Sequence, residues 1–163
     1  ETASRFQQHR DGVNDRTRDF LDVMREENLI ADAGAMHYIA RWITPHGTPR
    51  RFDARFFIAR MPDNQPPIHD DNELVHSRWI SPAEILDKVA AEEMVLMTPT
   101  LRMIKNLAQF SSADQVIQSA EANLPDHRAR VIGDTKVIVM PGEPGYESGS
   151  SDVESGWVRL RPL

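Results

Sequence analysis

An aromatic segment that carries several arginines has the clearest chemical potential in this sequence. The stretch RWITPHGTPRRFDARFFIAR holds Arg50, Arg51 and Arg55, and Asp53 lies between the last two. In an extended strand, Arg51, Asp53 and Arg55 would share one face. The other face would carry the apolar side chains Phe52, Ala54, Phe56 and Ile58. Because guanidinium groups fixed by a carboxylate bind phosphate through paired hydrogen bonds, the spacing predicts a phosphate-binding face, with a ladder of internal ion pairs as the alternative.

A second set of polar side chains follows in the acidic segment HDDNELVH, residues 69–76. Imidazole and carboxylate ligands together would suit a transition metal. Alternation along a strand, however, would place His76 on the opposite face from Glu73. For Asp70, Asp71 and Glu73, a solvated acidic loop is the alternative interpretation. The pattern alone therefore leaves the role of this segment open.

Composition and charge limit the classes of function. The chain has 163 residues, a formal net charge of -6 and no cysteine. A main activity on nucleic-acid backbone is disfavoured because it requires a cationic surface. Disulfides, thiol catalysis and cysteine-ligated zinc are excluded, and the composition fits a reducing compartment. Since no apolar segment approaches the ~20 residues of a membrane span and no signal peptide is recognisable, we expect a cytoplasmic protein without a membrane partner.

The elements around the arginine-rich segment can be predicted from periodicity. Apolar spacing predicts a helix over 13–29, capped by Asn14 or Asp15. Residues 36–43 and 51–60 are predicted to pair as strands across a loop that contains Pro45, Gly47 and Pro49. A short strand is expected over 74–80.

Helix starts in the second half have local signatures. Residues 81–84, SPAE, place a hydroxyl at the N-cap and proline at the first helical position, which predicts a helix running to about residue 92. Thr98 before Pro99 predicts a second helix start of the same kind. Ser112 with Gln115 predicts a third.

The last part of the chain is expected to be a β-hairpin and a tail. Residues 128–140 alternate around Gly133-Asp134, which is typical of a hairpin turn. The turn-rich run that follows is expected to be partly mobile, with 157–160 as an edge strand. The order of elements predicts an α+β fold, with a domain over 1–146 and a flexible tail over 147–163.

The sequence resembles one branch of a known enzyme superfamily. The pattern W-I-T-P-x-G-x-P-R-R-F-D-x-R-F-F, beginning at Trp42, is similar to that of Nudix hydrolases related to coenzyme A diphosphatases. The similarity continues at Glu73, through WISPAE at 79–84 and Pro99-Thr100, and at PGEPGY, residues 141–146. It thus covers roughly residues 40–146 and implies a Nudix-like mixed sheet flanked by helices.

The glutamate box of that superfamily does not occur in these 163 residues. The box has the form G-x5-E-x7-R-E-U-x-E-E-x-G-U, and residues 24–29, MREENL, imitate only part of it. Those residues lack the arginine–glutamate pair at the required distance and the following glycine, so the solvated face of an ordinary helix is the alternative. Because the chain begins with Glu1 rather than Met, we expect it to be the C-terminal portion of a Nudix protein. A family member that has lost the box is the other account.

The resemblance implies roles for particular residues. Glu73 matches a glutamate of the family pattern and is the candidate catalytic base or metal ligand, with Asp71 as a further metal ligand. The implied ion is magnesium, with manganese as the alternative, held mainly by a box outside these residues. The candidate substrate-binding residues are Arg50, Arg51, Arg55 and Trp79. For Trp42 and Trp79, burial in the core is the alternative to stacking on a base.

The implied activity is hydrolysis of a diphosphate, with coenzyme A derivatives as the favoured small-molecule substrate. The oligomeric state considered for such a protein is a homodimer. The main rival is a non-catalytic module that binds a nucleotide, a coenzyme A-like ligand or a partner protein on the same scaffold. A purely structural domain, in which Arg51 and Arg55 form internal ion pairs, is the third hypothesis.

Overall fold

The protein is divided into two compact units, Glu1–Gly34 and Ala35–Leu163. The structure, a computed structural model, describes residues 2–44, 46–47, 49–63, 67, 69, 76–133, 137–150 and 156–163. Of the helices in these ranges, none combines the length and the apolar surface that crossing a membrane demands.

The smaller unit contains two helices where the sequence predicted one. Helix α1 is Thr2–Asn14 and helix α2 is Phe20–Glu26. The single helix predicted over 13–29 is wrong because Arg16 has a φ of 59°, a left-handed conformation that a right-handed helix cannot contain. The N-cap is Asp19 rather than Asn14 or Asp15, and its carboxylate accepts a hydrogen bond of 2.8 Å from the backbone N–H of Leu21.

Polar contacts connect the two helices of this unit. The carboxylate of Glu27 accepts hydrogen bonds from Arg5 at 2.8 and 2.9 Å, and its Oε1 lies 2.8 Å from Nε2 of buried His9. The bond from His9 first, and then that from Arg5, lowers the pKa of Glu27 below its usual value. Arg18 forms an ion pair with Glu26. Glu26 and Glu27, the two glutamates of the segment that resembles part of the Nudix box, therefore both have partners inside this unit.

The larger unit combines antiparallel strands with helices, an α+β fold that confirms the predicted class. Its strands are β1 His37–Ile43, β2 Asp53–Ile58, β3 His127–Arg128, β4 Arg130–Ile132, β5 Val137–Val139 and β6 Trp157–Val158. Its helices are α3 Pro82–Ala90, α4 Thr98–Leu107 and α5 Ala113–Glu121. Short 3-10 turns occur at Ala33–Ala35 and Tyr146–Ser148. The main sheet has the order β2-β1-β6-β3, and β4 pairs separately with β5 as the predicted hairpin.

The last strand lies inside the sheet and not at its edge, which corrects the prediction for 157–160. Val158 pairs with Ala40 of β1 on one side and with His127 of β3 on the other. The apolar side chains explain this position, since Val158 and Leu160 are only 3% and 1% exposed. The predicted domain limit at residue 146 stays a prediction. Of the strand predicted over 74–80, residues 74–75 lie outside the described ranges, and 76–80 are not in a strand.

Local capping chemistry sets two of the three helix starts. The Ser81 hydroxyl accepts a 3.1 Å bond from the N–H of Glu84, and the Ser112 hydroxyl accepts a 3.3 Å bond from Gln115, so both predicted N-caps are confirmed. The cap predicted at Thr98 is wrong. Helix α4 begins one residue earlier, after Met97, and has no side-chain capping bond because Thr98 is itself the first helical residue.

The core lies on one face of the main sheet, between β1, β6 and helices α4 and α5. Its buried residues are Ile39, Ala40, Trp42, Met103, Val116, Ala129, Val158 and Leu160. Phe56 and Ile58 of β2 pack against this cluster, whereas Phe52, which was predicted to share their face, precedes β2 and is 57% exposed. Because side chains alternate along a strand, the intervening residues of β1 and β2 point to the opposite face of the sheet.

Candidate functional site

The pairing of β1 with β2 brings three charged side chains together on the sheet face opposite the core. Arg41 is paired with Arg55, and Ile43 is paired with Asp53. Arg41 donates from Nε and Nη2 to the two carboxylate oxygens of Asp53, at 2.8 and 2.9 Å. Arg55 donates from Nη2 to Oδ2 of Asp53 at 3.2 Å. We call Arg41, Asp53 and Arg55 the arginine face.

The central carboxylate keeps its charge and fixes both guanidinium groups. The hydrogen bonds from Arg41, followed by the positive charges of Arg41 and Arg55, lower the pKa of Asp53 below its usual value. Arg55 is the more accessible cation, with 55% of its side chain exposed against 38% for Arg41. Among the described residues, only Nη2 of Arg55 has an acceptor, so Nε and Nη1 can donate to a bound anion.

The other two predicted arginines lie near the hairpin loop. Arg51 precedes β2, and its Nε donates to the backbone carbonyl of Thr44 at 3.0 Å. Arg50 precedes it and is exposed. Among the described contacts, Asp53 pairs with Arg55 and with Arg41, so the ion pairs considered for Arg55 form and Arg41 takes part in them.

An aromatic cluster continues the arginine face along the sheet. The rings of Tyr38 and Phe57 are stacked with centroids 5.0 Å apart, and Trp157 meets Tyr38 edge-on at 4.8 Å. The guanidinium of Arg159 lies 4.6 Å above the Trp157 ring. Phe57 is 50% exposed. Fixed guanidinium groups beside an accessible aromatic ring are a chemically suitable surface for a phosphate attached to a planar base.

The two other tryptophans have opposite environments. Trp42 is 4% exposed and belongs to the core, which agrees with its structural interpretation. Trp79 is 76% exposed and is therefore not a core anchor. Its predicted role in substrate binding stays a prediction.

The predicted acidic ligands cannot be placed. Asp70, Asp71 and Glu73 lie outside the described residues, so their catalytic and metal-binding roles stay predictions. His69 is described, and its Nδ1 lies 3.1 Å from the hydroxyl of Ser77. Within the described ranges, no group of three or more histidine, aspartate or glutamate side chains could hold a metal ion. The described residues thus do not by themselves fit a magnesium site.

Sequence reasoning missed Arg41, the residue with the strongest contact to Asp53. Its partner lies twelve residues away in the chain, so the contact depends on the register of the hairpin. Residues 41–60 contain the information needed to pair Arg41 with the second strand, because two strands joined by a loop pair residues that lie at equal distances from the centre of the loop. Counting outward from the predicted loop, 44–50, places Arg41 opposite Asp53, which would have brought these two side chains together, although the observed register pairs Arg41 with Arg55.

The fold and the arginine face define an α+β protein suited to a phosphate-bearing ligand, and comparison with known proteins identifies its family. Residues 1–107, well over half of the chain, match the family model described as the NUDT19 Nudix domain. The chain belongs to this Nudix family, which confirms the resemblance found in the sequence. No solved structure matches the chain significantly.

Curated relatives are similar over much of the chain. The acyl-coenzyme A diphosphatase NUDT19 of Homo sapiens is 29% identical over 156 residues, which cover 90% of this chain and 41% of the human protein. The protein of the same name in Gallus gallus is 25% identical over 140 residues, covering 78% of this chain and 36% of the relative. The chain therefore spans well under half the length of these relatives.

Proposed function

We propose that this chain is the substrate-side part of a Nudix hydrolase that cleaves the diphosphate of coenzyme A derivatives, acyl-coenzyme A among them. The observation that carries the proposal is the alignment of 90% of the chain with a relative named acyl-coenzyme A diphosphatase. In this reaction, water attacks one phosphorus and the bond from the bridging oxygen to that phosphorus breaks. Two phosphate monoesters are formed, one of which keeps the adenosine.

The arginine face supplies the binding chemistry for this proposal. A diphosphate carries negative charge on each phosphorus, and Arg55 has two nitrogens without acceptors in the described part of the chain. Asp53 holds Arg55 and Arg41 in place, so less conformational freedom is lost when an anion binds. Arg50 and Arg51 are proposed to contribute from the hairpin loop, and Trp79 from its exposed position.

Magnesium, or manganese in its place, is part of the proposal and would neutralise the diphosphate and activate water. The described residues contain no suitable metal cluster, so we assign the ion to Asp71, Glu73 and a glutamate box that these 163 residues lack. The cytoplasmic location and the homodimer also stay predictions.

Calorimetric titration of the chain with coenzyme A tests the substrate-side assignment. We expect binding that weakens about tenfold in Arg55→Ala, because a charge-assisted contact to phosphate is lost. Arg78→Ala is the matched control, since Arg78 is similarly exposed and pairs with Glu84 at 2.8 Å. Equal affinities in Arg55→Ala and in the native chain would contradict the assigned role of the arginine face.

A binding module without catalysis is the second candidate, and it shares the arginine face with the first. Activity assays of the parent polypeptide that contains this chain distinguish the hydrolase from the binding module. Hydrolysis of acyl-coenzyme A by this polypeptide in the presence of magnesium, with adenosine 3′,5′-bisphosphate as a product, is expected from the enzyme. Binding of coenzyme A without any turnover by the parent polypeptide would identify the module instead.

A further inference from the structure

A cavity with an excess of positive charge lies on the other side of the main sheet from the arginine face. Its volume is about 450 Å³, within the size range of small-molecule sites. Val158 lines it and is paired with Ala40 on the core face of the sheet. The residues that decide its chemistry are Arg102, Lys105, His127, Glu143 and Arg161. We call it the cationic cavity.

Among the described residues, the carboxylate at the cavity forms an ion pair with one of the cations. Glu143 forms an ion pair with Arg102, and Arg102 also donates to the carbonyl of Ile138 at 2.6 Å. Within the described ranges, neither Lys105 nor Arg161 has a carboxylate within ion-pair distance. With three cations and one carboxylate among its described lining residues, the cavity keeps an excess of positive charge, although the charges of Lys105 and Glu143 also interact.

Arg161 is held in position by neutral groups. Its Nη1 donates to the carbonyl of Pro125 at 2.9 Å, and its own carbonyl accepts a 2.6 Å bond from the hydroxyl of Ser119, which is 1% exposed. In the described part of the chain, Nε and Nη2 of Arg161 have no acceptor. A guanidinium fixed through one nitrogen, with two others open, is prepared for a planar oxyanion contact.

The neighbouring histidine responds to the same positive charge. Burial first, and then the charge of Arg161, lowers the pKa of His127 below its usual value. Neutral imidazole can donate one hydrogen bond to an anion without adding a further charge. The positive charge of Arg161 therefore acts on His127, another residue that lines the cavity.

We propose that the cationic cavity is a second anion site and binds a phosphate group through Arg161 and Lys105. The inference does not depend on the proposed hydrolysis, because it rests on the cations that line the cavity and on the contacts that hold Arg161. Two kinds of molecule could supply the phosphate group that binds in the cavity. One source is the ribose 3′-phosphate of a coenzyme A-type molecule other than the one at the arginine face, since the two sites lie on opposite sides of the sheet, and the other is a separate phosphate ligand.

Titration of the 163-residue chain with inorganic phosphate, followed by NMR, tests the site directly. Arg161→Ala and Lys105→Ala are each expected to weaken phosphate binding about tenfold. Arg78→Ala and Lys88→Ala are the matched controls, because both cations pair with glutamates elsewhere, and they are expected to leave binding unchanged. Lys105 is exposed, so its variant keeps the test decisive even if Arg161→Ala fails to fold. No phosphate binding, or equal binding in Lys105→Ala and the controls, would overturn the proposal.

Coenzyme A and dephospho-coenzyme A distinguish the sources of the phosphate. A preference of about tenfold for coenzyme A that disappears in Lys105→Ala supports the 3′-phosphate of a coenzyme A molecule bound in the cavity as the source. A separate ligand is supported if coenzyme A and dephospho-coenzyme A bind with equal affinity and if inorganic phosphate still binds as tightly in the presence of either compound. If neither cofactor binds but phosphate does, the proposed hydrolase function fails while the anion site stands.

Discussion

Truncation of Leu160 provides a direct test of how the last strand contributes to the fold. Leu160 is 1% exposed, next to β6, and belongs to the core cluster. The change Leu160→Ala removes three carbon atoms, which at about 0.8 kcal/mol each gives about 2.4 kcal/mol of lost transfer free energy. The residual cavity adds to this, so we expect the free energy of unfolding to fall by about 3 kcal/mol, within the usual range of about 2–5 kcal/mol.

Urea unfolding followed by tryptophan fluorescence measures this loss. Trp42, Trp79 and Trp157 all belong to the larger unit, so the signal reports that unit alone. With a urea dependence of about 2 kcal/mol per molar, a loss of about 3 kcal/mol lowers the midpoint by about 1.5 M. Leu163→Ala is the matched control because Leu163 is 77% exposed, and its effect should stay within about 0.5 kcal/mol. Equal midpoints for the two variants would refute the placement of Leu160 in the core.

Three shorter predictions concern capping and protonation. Ser81→Ala should lower the free energy of unfolding by about 1 kcal/mol in the same urea assay, whereas Thr98→Ala, which removes no capping bond, should change it by less than about 0.5 kcal/mol. NMR titration should give His127 a pKa below its usual 6.5, and Arg161→Ala should raise it; an unchanged pKa in that variant would contradict the assigned cause. Because the pKa of Glu27 is lowered from 4.5 in the folded state, its contribution to stability is complete above that value and is lost as the pH falls through the folded pKa. Thermal melts followed by helical circular dichroism should therefore show a smaller loss between about pH 6 and about pH 3 in Glu27→Gln than in the native chain.

Features set by neighbouring residues could be predicted from the sequence. The N-caps at Ser81 and Ser112 follow from a hydroxyl and an amide three residues apart, and no distant contact is needed to form them. The hairpin of β1 and β2 also follows, since two alternating segments flank one loop. Thr98 shows the limit of such rules. Thr98 also carries a hydroxyl and precedes proline, but it is the first helical residue, because Met97 has the extended backbone of the N-cap.

Features that depend on distant partners could not be predicted in the same way. The position of β6 is set by the burial of Val158 between two strands that are far away in the chain, and its short length gave no periodic signal. The arginine face was half predicted. The alternation of Asp53 and Arg55 was visible in the sequence, whereas the contribution of Arg41 required the hairpin register.

The interior position of β6 has a consequence for the order in which the protein assembles. The pairing of Ala40 with Val158 closes a loop that contains most of the chain, whereas the hairpin of β1 and β2 closes a short one. The hairpin can therefore form early, and completion of the main sheet must wait for the last residues, which makes folding comparatively slow. As long as β6 is not paired, one side of β1 is an open edge that another chain could occupy, which favours aggregation of incompletely folded chains.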